Sequence, residues 1–599
     1  MASLTFYGGV GEIGGNKILV ETESGNVLLD FGRRMGITGS YYSEFLQTRS
    51  KNALRDLLRL GVLPRINGVY DKQYLDTTSL LEDPADKVKI PLKMAKDYWV
   101  AEGIDPYNPE APRVDGVFIS HAHFDHIQDL SFLDPTIPIY CSKETEILSK
   151  SICDLSASSI DQQFYELRRP AKIISKSTSY KTLFSGELDY KDEVESEKPE
   201  ILDVKTGFTF CREYTCEYRN YITKLKGNIR GLEYRLIPVG HSIPGACSVL
   251  LTTPDKTRIL YTGDLRFHGS KGVTKEQYVK TVGETVDYLI IEGTRVDSPK
   301  ILTENDVRRE IEADIKGSEG LVLIDFGWKD LSRFNVIYEA VKNNSRIFVV
   351  SPKVAYLLYE MHINFPIEYP DPRTMPNLKV YLKREGSLLY SKADYEKFKM
   401  GYLDNHGRNT SKTDKNIIRI AEKLGKGGEV GNPKNPLPDR VPGQTYEYQE
   451  VYDLATHHLE HGIKAYEIRS NPSNYVLMFS YWDSNELFDL IPETAEHKTK
   501  YIRASTEPFN DEMRIDEKKF VNWLEHFNIQ FNHELTEKGE KTFQARHVSG
   551  HLSQPELIEL VKLLNPRKII PVHTAHQEIF KELFGDKVIL VEPEKPIKI

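Results

Sequence analysis

Three histidines and one aspartate lie within six positions of one short stretch: His121, His123, Asp125 and His126. The stretch follows the apolar run Val117–Ile119, which has the composition of a buried strand. Imidazole and carboxylate are ligands that borderline divalent metals such as zinc accept. If the strand pattern continued, His121 and His123 would lie on one face. Asp125 and His126 would then form a second pair, and two pairs indicate two metal ions, an arrangement that catalyses in-line displacement at phosphorus.

Acidic and imidazole side chains also occur where other predicted strands end. These residues are Asp30, His241, Asp264, Glu292, His551 and His573. Their repeated placement predicts that they meet at one edge of a sheet, although each residue alone is more often structural. Asp30 is either a turn residue or a carboxylate that holds a metal-binding imidazole. Asp264 is either a turn residue or a bridge between two ions through its two oxygens.

A glycine-rich segment near the N-terminus has the spacing of a dinucleotide-binding motif, with Gly9, Gly11 and Gly14 in a Gly-x-Gly-x-x-Gly pattern. That motif requires a helix to follow it. Two short apolar runs separated by a turn at Ser24–Asn26 follow instead, and they predict a hairpin. We therefore reject nucleotide binding and expect the glycines to let the backbone approach a site closely.

The bulk composition narrows the class of protein. The chain has 599 residues and a net charge of −9, so a polyanionic partner would need a local basic groove or metal ions. The five cysteines are odd in number and form no Cys-x-x-Cys pair, which argues against disulfides and thiolate zinc sites. With no signal peptide and no apolar run of membrane-spanning length, we expect a cytoplasmic protein that does not bind membranes.

The predicted secondary structure changes along the chain. After residue 300, strand and helix patterns alternate, which is typical of a parallel sheet in a separate domain. Near residue 541 the pattern returns to that of the first part. We predict a first part at residues 1–300 with an insertion at about 34–113, an inserted domain at 301–540, and a closing part at 541–599. A flexible Gly/Pro-rich loop is expected at about 425–443.

Taken together, these motifs resemble the metallo-β-lactamase superfamily and, within it, β-CASP nucleases of the ribonuclease J type. The matching segments are Leu29–Gly32, His121–His126, Gly240–Ser242, Thr262–Asp264, Glu292–Thr294, His547–His551 and Pro571–His573. The resemblance implies an α/β fold: an αββα sandwich built from both ends of the chain, with an α/β β-CASP domain inserted after Glu292. Two departures stand out, because Gly293 replaces the usual Ser and Gln128-Asp129 replaces small residues.

The resemblance also implies a role for each matching residue. One zinc ion would be held by His121, His123 and His241, and a second by Asp125, His126 and His573, with Asp264 as the bridge; Mn²⁺ or Mg²⁺ is left open. The implied catalytic residues are Asp125, Asp264, Glu292 and His551, with His551 as the general acid. The implied phosphate-gripping loop consists of His547, Val548, Ser549, Gly550 and His551. Lys329, Arg333 and Arg295 are candidate phosphate contacts, with ordinary surface charges as the alternative.

The implied activity is zinc-dependent hydrolysis of RNA phosphodiester bonds, 5′-to-3′ and with endonuclease action left open, in RNA processing or decay. The expected partner is single-stranded RNA with a 5′-monophosphate end, and a homodimer is left open. A His at position 573 favours RNA over DNA. The alternatives are a DNA nuclease, a thioester or lactone hydrolase, and a catalytically silent RNA-binding scaffold. Because the chain stops soon after His573, we do not expect the separate C-terminal domain of many ribonuclease J enzymes.

Overall fold

The computed structural model describes most of the chain. The described residues are 2–76 (without 44, 50 and 51), 100–170 (without 157–159), 214–384 (without 270–272, 284, 300 and 301), 391–395, and 444–599 (without 494, 495, 537 and 538). The Gly/Pro-rich loop predicted at about 425–443 lies outside the described residues. So do residues 77–99 of the insertion predicted at about 34–113.

The first sheet has seven strands and is mixed. In spatial order they are Ile597–Lys598, Ser3–Gly8, Lys17–Glu21, Asn26–Leu29, Gly116–Phe118, Ile139–Tyr140 and Tyr221–Ile222. Lys17–Glu21 and Asn26–Leu29 pair antiparallel, which confirms the hairpin predicted after the glycine-rich segment. Gly116–Phe118 lies parallel to Asn26–Leu29, so these two strands end at the same edge of the sheet.

The second sheet has six strands and contains segments from distant parts of the chain. In spatial order they are Lys568–Val572, Tyr288–Glu292, Arg258–Tyr261, Cys247–Thr252, Leu232–Pro238 and Lys226–Ile229. The first three of these strands are mutually parallel. Their carboxyl ends therefore meet at one edge, where Asp264, Glu292 and His573 end or follow the strands.

The two sheets pack face to face. Phe6, Val20 and Phe118 of the first sheet lie in one buried cluster with Val249 and Ile570 of the second. Side chains alternate along a strand, so each sheet also has an outer face. Apolar residues lie on both outer faces, and helices cover those residues. Leu250 and Ile569 pack with the helices that begin at Lys275, Gln554 and Gln577. Leu28 and Val117 pack with other helices on the outer face of the first sheet. The αββα sandwich is therefore confirmed.

A third sheet has six strands, all parallel. In spatial order they are Leu378–Val380, Ile347–Val350, Tyr475–Met478, Val322–Asp325, Lys500–Arg503 and Gln530–Phe531. Every strand of this sheet comes from the part of the chain between Tyr288–Glu292 and Lys568–Val572, two neighbouring strands of the second sheet. An inserted α/β unit requires this order. The domain boundaries near residues 300 and 540 stay predictions.

Helices flank all three sheets. The longer helices are Lys143–Leu155, Lys275–Val282, Glu304–Lys316, Leu331–Asn343, Pro352–Asn364, Gln444–His461, Asp511–His526, Gln554–Leu564 and Gln577–Phe584. The shorter helices are Met35–Gly39, Ala53–Arg59, Lys72–Leu75, Phe124–Ile127, Ala465–Ser470 and Leu487–Leu490. Two small hairpins pair Glu166–Pro170 with Tyr214–Tyr218 and His533–Leu535 with Lys541–Phe543. None of the helices in the described residues combines the length and hydropathy needed to traverse a lipid bilayer.

Candidate metal centre

The dense histidine motif forms a sharp turn at the edge of the first sheet. His121 follows the strand Gly116–Phe118, and His123 is the residue before the one-turn helix Phe124–Ile127. Asp125 and His126 lie inside that helix. The change from extended chain to helix separates the two pairs of side chains. The turn therefore presents two sets of donors from six consecutive positions.

The first set of donors consists of three imidazoles and Asp264. His123 Nδ1 lies 3.0 Å from His121 Nε2 and 3.1 Å from His241 Nε2. The carboxylate Oδ2 of Asp264 lies 3.6 Å from His121 Nε2 and 4.0 Å from His241 Nε2. Burial lowers the pKa of His121 and His123 well below the usual range and that of His241 to about 3. Neutral rings with converging nitrogens are suited to binding a cation.

The second set consists of Asp125, His126 and His573. His573 Nε2 lies 3.2 Å from Asp125 Oδ2, and His126 Nε2 lies 3.7 Å from the same oxygen. Asp264 also borders this set, because its Oδ2 lies 3.2 Å from His126 Nε2 and 3.6 Å from His573 Nε2. One carboxylate thus faces both sets of donors.

Glu292 and His551 complete the group at the second sheet. Together with Asp264 and His573 they form a further set of donors, all within 4.8 Å of one another. His551 Nδ1 lies 3.3 Å from Glu292 Oε1. Burial lowers the pKa of His551, but the carboxylates of Glu292 and Asp264 outweigh it and raise the pKa to about 9. We name all nine residues the donor cluster: His121, His123, Asp125, His126, His241, Asp264, Glu292, His551 and His573.

Neighbouring groups fix the orientation of three imidazoles in the donor cluster. Asp30 Oδ2 lies 2.7 Å from His126 Nδ1, and the Gly550 carbonyl oxygen lies 2.7 Å from His241 Nδ1. Thr294 Oγ1 lies 2.8 Å from His573 Nδ1. Each contact engages Nδ1 and leaves Nε2 facing the cluster. The sequence suggested this role for Asp30 as one of two alternatives, but it gave no indication of the roles of Gly550 and Thr294.

The glycine-rich segment packs directly against the cluster. Gly15 N donates to the Asp125 carbonyl oxygen at 3.0 Å, and His573 N donates to that of Gly9 at 2.7 Å. A Cβ atom on Gly14 would lie 2.6 Å from Asp125 Oδ2, and its φ of +76° also favours glycine. These contacts agree with the expectation that the glycines permit close approach of the backbone.

The two departures from the family motifs have physical explanations. A Cβ atom on Gly293 would lie 2.4 Å from the ring of Phe580, so serine cannot fit here without a shift of that ring. Asp129 is fully buried and pairs with two cations, one in the first sheet and one in the segment that follows the strand Asn26–Leu29. Its carboxylate lies 2.9 Å from Lys17 Nζ and 2.5 Å from Arg33 Nε.

The loop His547–His551 is anchored largely through its own backbone. The Ser549 carbonyl oxygen accepts hydrogen bonds from Arg266 at 3.2 Å and from His268 at 2.9 Å. The side chain of Val548 is buried in an apolar cluster, so only its backbone is left for the phosphate contact that the resemblance implied. His547 is half-buried, and His551 belongs to the donor cluster. The phosphate-gripping role of Ser549 and Gly550 stays a prediction.

Arg333 is a correction to the predicted substrate contacts. Its side chain is only 1 % exposed. One terminal nitrogen donates to the carbonyl oxygens of Ala504 and Arg546, and the other donates to Glu304 Oε1 at 3.1 Å. Arg266 also pairs with Glu304, at 2.9 Å. Arg333 therefore joins the inserted domain to the sandwich and is not accessible to a phosphate group.

The residues present fit a divalent metal cofactor. Within the described residues, the buried atoms His126 Nε2 and Asp264 Oδ1 have no hydrogen-bond partner. Two of the three imidazole nitrogens of the first set can share one proton, but all three cannot. A cation among them would satisfy each lone pair. The donors are nitrogen and carboxylate oxygen, a combination that suits zinc and manganese.

Family models match both ends of the sandwich. Residues 101–173 match a model described as "Beta-lactamase superfamily domain", and residues 540–590 match one described as "Zn-dependent metallo-hydrolase RNA specificity domain". The first match contains His121–His126, and the second contains His551 and His573. Both matches, together with the two sheets and the donor cluster at their edges, support the resemblance to the metallo-β-lactamase superfamily.

Three curated relatives are ribonucleases by name, which supports the β-CASP, ribonuclease J-like resemblance. The chain is 31% identical over 133 residues to ribonuclease J of Mycoplasma pneumoniae, covering 22% of each chain. It is 29% identical over 133 residues to ribonuclease J of Mycoplasma genitalium, again covering 22% of each. It is 26% identical over 181 residues to a probable RNase, MJ4, of Methanocaldococcus jannaschii, covering 30% of this chain and 34% of that one. The matches thus span between 22% and 34% of the length of these relatives.

A solved structure matches the whole chain. It is a crystal structure of a protein of unknown function from Enterococcus faecalis V583, with a TM-score of 0.57 and 18% sequence identity, covering 100% of this chain and 99% of that one. At this identity the likeness concerns the fold alone. It extends the agreement in fold to the inserted α/β unit, which neither family model covers.

Proposed function

We propose that the chain is a metal-dependent ribonuclease that hydrolyses phosphodiester bonds of single-stranded RNA. The observation that carries the proposal is the position of Asp264, whose Oδ2 lies within 3.2–3.6 Å of His126, His121 and His573. A carboxylate that faces two sets of donors is suited to two adjacent cations. The match of residues 540–590 to an RNA specificity domain supports RNA as the substrate.

In this proposal each set of donors holds one zinc ion. His121, His123 and His241 form the first set, and Asp125, His126 and His573 form the second, with Asp264 between them. When bound, such ions supply a nucleophile at neutral pH and neutralise the charge that develops on the phosphate. The chain's own contribution is to hold neutral imidazoles in fixed orientation, through Asp30, Gly550 and Thr294.

His551 is the proposed general acid. Its Nδ1 faces Glu292 Oε1 at 3.3 Å, and that carboxylate is buried and held by the backbone N–H of Thr294 at 3.0 Å. A fixed carboxylate beside an imidazole favours the protonated ring. His551 can then give a proton to the 3′ oxygen that leaves, so that the products carry a 5′-phosphate and a 3′-hydroxyl.

We further propose that cleavage proceeds 5′-to-3′ from a monophosphorylated end and that the chain acts in RNA processing or decay. The resemblance to ribonuclease J-like enzymes supports this direction. The chemistry of attack is the same for internal cleavage, so the direction depends on how the RNA end is bound.

The experiment is digestion of end-labelled RNA that carries a 5′-monophosphate, a 5′-triphosphate or a 5′-hydroxyl, with and without a chelator. We expect cleavage without chelator, a preference for the monophosphate, and loss of activity when metal is removed. Matched DNA strands serve as the comparison. Equal activity with chelator would contradict metal dependence, and faster cleavage of DNA would identify a DNA nuclease. Cleavage of a thioester without cleavage of RNA would identify a small-molecule hydrolase.

A further inference from the structure

One basic side chain of the inserted domain reaches the metal-binding motif of the sandwich. Lys329 lies in the loop between the strand Val322–Asp325 and the helix Leu331–Asn343. Its Nζ lies 4.4 Å from the ring centroid of Phe124. Phe124 is flanked by His123 and Asp125, one from each set of donors. A cation from one domain is thus held over an aromatic ring beside the donor cluster of the other.

Lys329 has no counterion within the described residues. Its Nζ makes no hydrogen bond and no ion pair there, whereas Arg266 and Arg333 of the same region both pair with Glu304. A half-buried cation without a partner costs free energy, and a cation–π contact recovers only part of that cost. Burial lowers the pKa of Lys329 to about 8, and the charge of Asp125 opposes that shift.

The carboxylate whose charge interacts with Lys329 is that of Asp125, which would bind a metal ion in the proposed function. Asp125 belongs to the second set of donors, and a bound cation would take up its charge. The charge of Lys329 also acts on His123, so the amine lies near both sets of donors. A phosphate group bound at the donor cluster would supply an anion for Lys329.

We propose that Lys329 binds a non-bridging oxygen of an RNA phosphate at the donor cluster. This inference rests on the proposed ribonuclease function and names one of the groups that would bind substrate there. Two phosphates have the required chemistry: the phosphodiester that is cut, and the monophosphate at the 5′ end of the RNA. Of the basic residues that the sequence offered as phosphate contacts, Arg333 is buried in ion pairs, whereas the position of Lys329 supports that role.

The test compares three variants of the full-length protein with the wild type. Lys329→Met removes the charge, and Lys329→Arg keeps it. Lys316→Met is the matched control, because Lys316 is exposed at the end of the helix Glu304–Lys316, away from the donor cluster. For each protein we would measure metal content, urea unfolding, and kcat/KM on 5′-monophosphate and 5′-hydroxyl RNA at several salt concentrations.

We expect Lys329→Met to lower kcat/KM by about 10- to 100-fold, the effect of losing a hydrogen bond to a charged group. The dependence of log kcat/KM on log salt should become shallower by about 0.7, the effect of one phosphate contact on a single strand. Metal content and unfolding midpoint should not fall. Lys329→Arg should retain most of the activity, and Lys316→Met all of it.

The two RNA substrates separate the two sources of phosphate. A loss on both substrates identifies the phosphodiester that is cut, and a loss confined to the 5′-monophosphate RNA identifies the terminal phosphate. Unchanged kcat/KM and salt dependence on both substrates in an active protein would overturn the assignment to Lys329 alone. So would a loss of metal in parallel with activity, since Lys329 would then support the donor cluster. A wild type that cleaves neither RNA would overturn the ribonuclease proposal itself, and this assignment with it.

Discussion

Two buried polar clusters lie side by side at the histidine motif, and they differ in how their charges are balanced. In the first, Asp129 meets Lys17 and Arg33, and Asp161 lies 3.6 Å from Arg33. We name these four residues the ion-pair cluster. In the second, the donor cluster, the titratable side chains in closest contact with the carboxylates are imidazoles. Although burial opposes it, neighbouring carboxylates raise the pKa of His126 well above its usual range and that of His551 to about 9.

The difference lies in whether the balancing charge can leave. The guanidinium of Arg33 stays charged under ordinary conditions, so we expect the ion-pair cluster to contribute to the structure of the turn. Protons on imidazoles exchange with solvent, and a metal ion can replace them. We therefore expect substitutions in the donor cluster to change metal binding and activity, and substitutions in the ion-pair cluster to change stability.

The largest effect should follow from replacing Asp264 with asparagine. The side chain keeps its size, but a neutral amide cannot balance two cations. We expect RNA hydrolysis to fall on the order of 10⁴-fold, with a clear loss of bound metal. The unfolding free energy measured with chelator should change less than the activity, because imidazoles that lose the carboxylate of Asp264 as a partner can release their protons.

The matched control is Asp255→Asn, which alters an exposed aspartate in a turn of the second sheet. It should leave activity, metal content and stability at wild-type values. An Asp264→Asn protein with full metal content and full activity would refute the assignment of Asp264 to the centre. A protein that has lost mainly stability would remove the contrast between the two clusters.

The second effect concerns the ion-pair cluster. Replacing Asp129 with asparagine leaves Lys17 and Arg33 buried without their shared carboxylate. Removing one partner of a buried pair costs about 3–5 kcal/mol, and we expect the free energy of unfolding in urea to fall by that amount. Metal bound per folded molecule should change far less than in Asp264→Asn.

A double variant sharpens this test. Lys17→Met combined with Asp129→Leu removes a charge of each sign, and apolar replacement of buried ion pairs is often neutral. The double variant should therefore recover part of the stability that Asp129→Asn loses. A loss below about 1 kcal/mol in Asp129→Asn would mean that water or a shift of the turn relieves the unpaired charges.

The sequence predicted the fold where local patterns were strong. The runs Val117–Ile119 and Tyr288–Ile291 alternate with polar turns, and the hairpin after the glycines follows from their spacing alone. It predicted much of the donor cluster because donors such as His121, Glu292 and His573 end or closely follow a strand, and parallel strands end at a common edge. His121, His241 and His573 are far apart in the chain, and only the resemblance to a family indicated that their strands are neighbours.

Features that depend on packing between distant segments could not be predicted. Arg333 looked like a surface cation because nothing in its local sequence indicates that Glu304 lies beneath it. Asp129 looked like a disruption of the motif because its partners, Lys17 and Arg33, lie about a hundred positions away. The contact between Thr294 and His573 could not be predicted from the segment Glu292–Thr294, because it depends on the position of the His573 ring.

Thr294 gives the smallest effect and the finest test of the comparison. Its hydroxyl lies 2.8 Å from His573 Nδ1 and can also donate to the His573 carbonyl oxygen at 3.4 Å. His573 has a positive φ of 52°, which the surrounding contacts must maintain. Thr294→Val keeps the shape and removes the hydroxyl. We expect a loss of about 10- to 100-fold in metal affinity or activity, the usual effect of losing a group that orients a metal-binding imidazole.

Thr294→Ser is the matched control, because serine keeps the hydroxyl, and it should retain most of the metal affinity measured by competition with a chelator. If Thr294→Val lost metal affinity while its unfolding free energy with chelator stayed within about 1 kcal/mol, Thr294 would act through the ring of His573. If Thr294→Val lost stability instead, and Thr294→Ser lost it equally, the hydroxyl would be part of the fold. The hydroxyl of Thr294 would then support the fold, as the ion-pair cluster does, and would have no separate role in metal binding.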